Sequence, residues 1–129
     1  MNRELILEYA AKTERLGVPE SWEATGRAAE PNCGDELVYY LSTKRDVVTE
    51  ISYTITESAC PPAKACAARA AEAVLGKPVM EAYLLDAWGL SEFFGGLDKE
   101  SIHCAMMAAL ALKTALRNYA ETRRSVRNT

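Results

Sequence analysis

Apolar positions recur along this chain with two different periods. Between residues 36 and 56 they alternate with polar ones, as in strands that bury one face; from Ala63 onward they recur every three or four residues, as in helices that bury one side. Residues 36–41 are rich in strand formers (Leu37, Val38, Tyr39, Tyr40), residues 43–46 make a polar turn, and residues 47–56 alternate again. Together they predict a β-hairpin. In its second strand the alternation assigns Thr49, Ile51, Tyr53 and Ile55 to the face that packs on helices, and Glu50, Ser52 and Thr54 to the wet face. Tyr39, Tyr40 and Tyr53 read as core and cross-strand packing residues rather than a platform for stacked bases.

On either side of the hairpin the signals are helical. Asn2 can cap a first helix that reaches about residue 16, with Leu5, Ile6, Tyr9 and Ala10 as its apolar stripe and Gly17 and Pro19 as its stop. Residues 20–30 predict a loop with a short strand at 26–29, and Trp22 reads as a surface-packed anchor. Pro61 and Pro62 suit the first turn of a helix, which has amide hydrogens to spare, so Cys60 falls at or next to the N-cap. That helix runs over 63–75 and buries Ala63, Cys66, Ala67, Ala70 and Val74, with Gly76 and Pro78 ending it. Short helical stretches at 79–87 and 90–94 precede the Gly95-Gly96 break. Asp98 is the N-cap of a last helix over 99–123. Its 104–116 run is apolar around most of its circumference and supplies the core, with Met106 and Met107 as gap-fillers. Arg117, Arg123, Arg124 and Arg127 complement the helix dipole and form a solvated basic end. The class is α+β: one domain over 1–129, a small antiparallel sheet packed against several helices, and a long C-terminal core helix.

Composition narrows the function. The 129 residues carry a formal charge of -3, and the pI near 5.2 argues against a general nucleic-acid binder. No apolar run approaches the roughly 20 residues that cross a bilayer, so no membrane partner is expected. The stretch from Met1 to Ile6 carries Glu4 beside Arg3 and is periodic, unlike a signal peptide, and a cytoplasmic protein is expected. In a reducing compartment, four cysteines point to metal binding or sulfur chemistry before disulfides.

Three segments could bring such chemistry together. Pro31-Asn32-Cys33-Gly34-Asp35 puts a soft thiolate and a hard carboxylate on one turn, where Gly34 permits angles that a side chain would forbid. Cys60 follows the hairpin at a helix N-terminus, where an anion is stabilised, and Cys104 stands in the first turns of the core helix beside His103, the one histidine of the chain. Neighbouring helix residues diverge by about 100 degrees, so His103 and Cys104 can flank one site without both pointing at it. Three thiolates with an imidazole or carboxylate match tetrahedral zinc or a small iron–sulfur cluster. No Cys-x-x-Cys pair exists, so spacing alone leaves ligands and ordinary buried cysteines both open. Nothing resembles a nucleophile elbow, and no catalytic residue is assigned.

The motifs Pro31-Asn32-Cys33-Gly34-Asp35, Cys60 before a small-residue helix, Gly76-Lys77 with Glu81-Ala82, and His103-Cys104-Ala105 resemble a NifU/IscU-type iron–sulfur cluster assembly scaffold. Ala111-Leu112-Lys113 and Ala115-Leu116 with Tyr119 extend the likeness, which covers about residues 31–119. The resemblance implies a compact α+β domain and a non-catalytic scaffold. Such a scaffold receives sulfur from a pyridoxal-phosphate cysteine desulfurase, combines it with iron into a transient 2Fe-2S or 4Fe-4S cluster, and passes that to recipient apo-proteins. It also implies roles: Cys33, Cys60 and Cys104 as cluster ligands, Asp35 as the weak hard ligand that keeps the cluster transferable, and His103 as alternative ligand or proton acceptor. Zinc can occupy the same ligands.

The departures from the family pattern matter. Glu57 and Ala59 stand in a loop where glycines are usual, which should stiffen it or change its path. Cys66 stands where serine or alanine is common and reads as core. Leu97-Asp98-Lys99-Glu100-Ser101 replaces the Leu-Pro-Pro-Val-Lys type segment of the family, so the resemblance does not carry recognition by an Hsp70-type chaperone. A Pro-Arg-Asn turn is missing around Thr13-Glu14-Arg15, so desulfurase docking is expected to differ. Two alternatives remain: a zinc-binding SufU-type persulfide acceptor that activates a desulfurase, with Cys104 as acceptor, and a diverged regulatory or adaptor member. The SufU insertion is absent, and His103 stands where those proteins tend to carry arginine.

Overall fold

The computed structural model describes residues 1–31 and 34–127, with side chains as far as Arg123. In chain order the elements are α1 (Arg3–Ala10), β1 (Ala24–Ala29), β2 (Glu36–Lys44), β3 (Val47–Ile55), α2 (Pro61–Val74), α3 (Val79–Ala82), α4 (Ala87–Phe93) and α5 (Ile102–Arg127). The strands form one antiparallel sheet in the order β1-β2-β3. One face of it is covered by α5, which lies along β1 and β2, and by α2, which packs on β3 and against α5. This is the expected α+β architecture with a long C-terminal helix. Among the described residues, no helix is long and apolar enough to cross a membrane.

The core forms where the two periods meet. Leu37, Tyr39 and Leu41 alternate inward from β2; Ala63, Cys66, Ala67, Ala70 and Val74 meet them from α2; Ala108, Ala111, Leu112, Ala115 and Leu116 do so from α5. So many alanines let helix backbones come close to the sheet, and the larger side chains fill the space between. Tyr39 is fully buried, and its hydroxyl donates to the Ala67 carbonyl at 2.6 Å. Tyr53 meets its ring edge-on at 5.8 Å, as expected of core residues. Trp22 is partly exposed and packs edge-on against Tyr40.

The hairpin turn is Arg45-Asp46, both with left-handed φ (54° and 61°), between the paired residues Lys44 and Val47. A two-residue turn of this hand matches the twist of the strands it joins. Just beyond it the register shifts. Ser42 pairs Glu50 but Thr43 pairs Val48, so Thr49 is an extra residue, a β-bulge. This corrects the expected inward face: the bulge turns Thr49 outward and buries Val48 completely, while Ile51 and Tyr53 stay inside.

Other element ends also differ from expectation. Helix α1 is capped by Asn2, whose Oδ1 accepts from Leu5 N at 3.0 Å, but it stops at Ala10 and not near residue 16. The chain after it pairs with the open edge of β3: Tyr53 N donates to Arg15 O at 2.9 Å and Gly17 N to Tyr53 O at 2.8 Å. Those sheet bonds replace helical ones over a stretch whose Leu16 stays 48% exposed. The short strand expected at 26–29 begins earlier, at Ala24, because its pairing with β2 runs from Ala24 opposite Leu41 to Ala29 opposite Glu36. The stretch 79–87 is split, since Asp86 caps the next helix through Gly89 N at 2.8 Å. Asp98 does cap a turn, its Oδ1 accepting from Ser101 N at 2.9 Å, yet α5 proper begins at Ile102. Met107 is core, but Met106 is 55% exposed, because the neighbouring position on a helix faces elsewhere.

Candidate metal centre

Two of the sequence-predicted sulfurs meet. Pro61 and Pro62 occupy the first positions of α2, so Cys60 is its N-cap, with extended backbone and no side-chain cap bond. The turn leading to it is closed by Ala59 N donating to Thr56 O at 3.0 Å, and Glu36 N donates to the Thr56 hydroxyl at 2.8 Å. Among the described residues the non-glycine left-handed positions are Arg45 and Asp46, so Glu57 and Ala59 complete this turn without needing glycine. Cys104 stands in the first turn of α5, its amide bonded to Ser101 O at 3.0 Å. The Cys60 and Cys104 Sγ atoms lie 3.7 Å apart.

That separation suits a metal ion. Two thiolates at about 2.3 Å from one tetrahedral ion stand about 3.8 Å from each other, and similar bond lengths hold for zinc and for iron in sulfide clusters. No bond joins the two sulfurs; both are thiols. Cys60 is exposed and Cys104 is buried, so the pair opens to solvent on the α2 side.

The described residues around the first motif tie the end of β1 to the start of β2. Glu30 N donates to Asp35 O and Gly34 N to Glu30 O, both at 2.8 Å. Gly34 takes φ 72°, which closes the loop where a Cβ would strain it. Asp35 is buried at its end. Cys33, with Asn32, lies outside the described residues. His103 is exposed, one position round α5 from Cys104, and lines an open groove of about 470 Å³ with Glu30, Pro31 and Met107. Among the described residues, no three His, Cys, Asp or Glu side chains are grouped so as to hold a metal ion. The structure therefore brings Cys60 and Cys104 together and does not add Asp35 or His103 to that pair.

Glu30 was not singled out in the sequence. It is a buried acid that closes the loop through its backbone and shares the groove with His103. Its position directly before the Pro-Asn-Cys-Gly-Asp run is the signal that could have marked it. Cys66 behaves as core: it has no exposed surface, and burial, then the nearby Cys60, pushes its thiol up to about 12. A thiol so reluctant to ionise is a poor ligand.

An antiparallel sheet is covered by α2 and α5, with a thiol at the start of each of the two helices. The chain belongs to the family described as NifU-like N terminal domain, whose model matches residues 1–126. It is 28% identical over 119 residues to iron-sulfur cluster assembly scaffold protein IscU 1 of Archaeoglobus fulgidus, a match covering 92% of this chain and 76% of the relative. Its fold is that of the N-terminal part of a nitrogen-fixing NifU-like protein from Brucella abortus, with a TM-score of 0.73 at 21% identity, covering 92% of this chain and 94% of that one. A candidate scaffold protein for the SUF system from Fervidobacterium islandicum shares it too, with a TM-score of 0.71 at 19% identity, covering 88% and 94% of the two chains.

Proposed function

We propose that this protein is a non-catalytic scaffold that receives sulfur from a cysteine desulfurase, combines it with iron into a transient 2Fe-2S or 4Fe-4S cluster, and passes the cluster to recipient apo-proteins in the cytoplasm. The observation that carries the reading is the 3.7 Å approach of Cys60 and Cys104, the bite of one tetrahedral ion, in a chain of the NifU family. Cys33 and Asp35 join them as ligands from the loop between β1 and β2, and His103 serves as alternative ligand or proton acceptor. Cluster and metal are cargo here. A soft thiolate pair holds them, and the hard Asp35 carboxylate keeps the cluster exchangeable.

The same bite fits zinc, which favours one second reading: a zinc-binding persulfide acceptor that activates a desulfurase, with Cys104 carrying the sulfur. Metal and acid-labile sulfide content of anaerobically purified protein, wild type beside Cys60→Ala, separates the two. Iron with matching sulfide, lost in the variant, supports the scaffold. Zinc without sulfide supports the persulfide acceptor. Neither metal after reconstitution with iron and sulfide overturns both and leaves a regulatory adaptor, for which Cys33→Ala, Cys60→Ala and Cys104→Ala would leave function intact.

A further inference from the structure

The Cys60 and Cys104 sulfurs are in van der Waals contact at 3.7 Å, although 44 residues separate them in the chain. We propose that the pair also reduces the sulfur it receives: each thiol resolves a persulfide on the other, releasing sulfide and leaving a Cys60–Cys104 disulfide. The inference rests on the scaffold reading for the arrival of sulfur, and on geometry for what happens next.

Persulfide sulfur is at the oxidation level of elemental sulfur, whereas a cluster is built from sulfide, two electrons lower. Two adjacent thiols hold those two electrons. With sulfur on Cys104, the Cys60 thiolate attacks Cys104 Sγ, the inner sulfur of the persulfide. The Sγ–Sγ bond forms, the bond from Cys104 Sγ to the outer sulfur breaks, and the outer sulfur leaves as HS⁻ with that bond's electron pair and the persulfide's own proton. The Cys60 proton goes to water. The two cysteine sulfurs are oxidised and the transferred sulfur is reduced. With sulfur on Cys60 the roles exchange. A dithiol reductant then restores both thiols, which become free to bind an ion.

The fold favours this pairing. A disulfide needs the sulfurs at about 2.05 Å, so the two must close by about 1.7 Å. Cys104 is anchored in the long α5, but Cys60 is exposed, sits at a helix cap and makes no capping bond, so a rotation of its side chain meets no lost interaction there. Cys66 does not compete, being fully buried on the inner face of α2.

The test uses the full chain, stripped of metal with chelator under anaerobic conditions and treated with inorganic polysulfide as the sulfane-sulfur source. Released sulfide is measured, and disulfides and persulfides are mapped by mass spectrometry of the wild-type protein. Loading a thiol from polysulfide itself expels sulfide or a shorter polysulfide, so the expected result is one further sulfide per Cys60–Cys104 disulfide formed. In Cys60→Ser the persulfide persists on Cys104, and this further sulfide falls by at least about tenfold, because the attacking thiol is gone. Cys66→Ala releases sulfide like the wild type. Release undiminished in Cys60→Ser, a disulfide that joins Cys33 instead, or no uptake of sulfane sulfur by the wild type overturns the proposal. Reconstitution with iron and inorganic sulfide, which bypasses persulfide, reports on the scaffold reading separately. A cluster formed there, with no disulfide in the first experiment, sinks the inference and spares the scaffold.

Discussion

Gly26 of β1 lies directly against the backbone of Ala115 in α5. A Cβ at residue 26 would stand 2.7 Å from Ala115 Cα, and closer still to the Ala115 amide nitrogen and the Ala111 carbonyl oxygen. The neighbours are backbone, so no rotamer change can make room. Overpacking usually costs about 1–3 kcal/mol, and here β1 and α5 must separate, so Gly26→Ala is expected to destabilise by at least the upper end of that range. Urea unfolding of the variant, read as a shift in midpoint at constant slope, checks it.

The Cys66 thiol gives the fold an alkaline limit. Its pKa is pushed up to about 12 from an ordinary value of 9.0, so the native state holds a proton that the unfolded state gives up first. The contribution is complete below the unfolded value and is lost as pH rises toward 12, at about 1.4 kcal/mol per pH unit. Unfolding free energies measured between pH 8 and 11 (roughly the span where an exposed thiol ionises) should fall more steeply for wild type than for Cys66→Ala. Equal slopes would show that Cys66 ionises in the folded protein without penalty.

Helix α1 is held at one charged point. The Tyr9 hydroxyl and Arg69 Nη1 both donate to Glu72 Oε1, at 2.6 and 2.7 Å, while Lys12 stands 3.5 Å from the other oxygen. Burial pulls the Glu72 carboxyl upward, but the bonds from Tyr9 and Arg69 and the Lys12 charge outweigh it and hold the group below its ordinary 4.5. A depressed carboxylate stabilises the fold above its unfolded pKa and stops doing so as pH falls through the native value. The group is partly exposed, so Glu72→Gln should cost only about 1 kcal/mol near neutrality and less in acid. Faster hydrogen exchange in residues 3–10, with the sheet unchanged, is the expected signature.

Asp35 offers a test of exchangeability. A carboxylate is a poor partner for soft iron–sulfide, so its removal should slow loss of the cluster. Asp35→Ala is expected to lengthen the lifetime of a reconstituted cluster and to slow its transfer to an apo-ferredoxin, both followed by visible absorption. A shorter lifetime would make Asp35 a stabilising ligand instead.

The sequence made the hairpin, α2 and the core face of α5 legible, because each rests on local periodicity and strong turn residues. It misjudged Thr49, since a bulge is set by strand pairing and leaves the alternation of the second strand unmarked. The end of α1 was misjudged for a similar reason: the edge of β3, nearly forty residues away, claims the backbone of Arg15 and Gly17. At the site, Pro61-Pro62 announced Cys60 as a cap, and Gly34 announced a tight turn. The residues raised the approach of Cys60 to Cys104 only as one of two open readings, and family likeness favoured it, because local pattern says nothing about which two helix starts meet.

The turn at residues 56–59 carries one more consequence. In it Glu57 and Ala59 sit in ordinary backbone conformations under a hydrogen bond, where a glycine-rich loop would wander among many. Ordering a residue costs about 1–2 kcal/mol, and here that entropy is surrendered when the chain folds rather than when cargo arrives. On the scaffold reading proposed above, Cys60 is thus held at its post between rounds of loading. An ion leaving the pair would find the same doorway standing when the next one came.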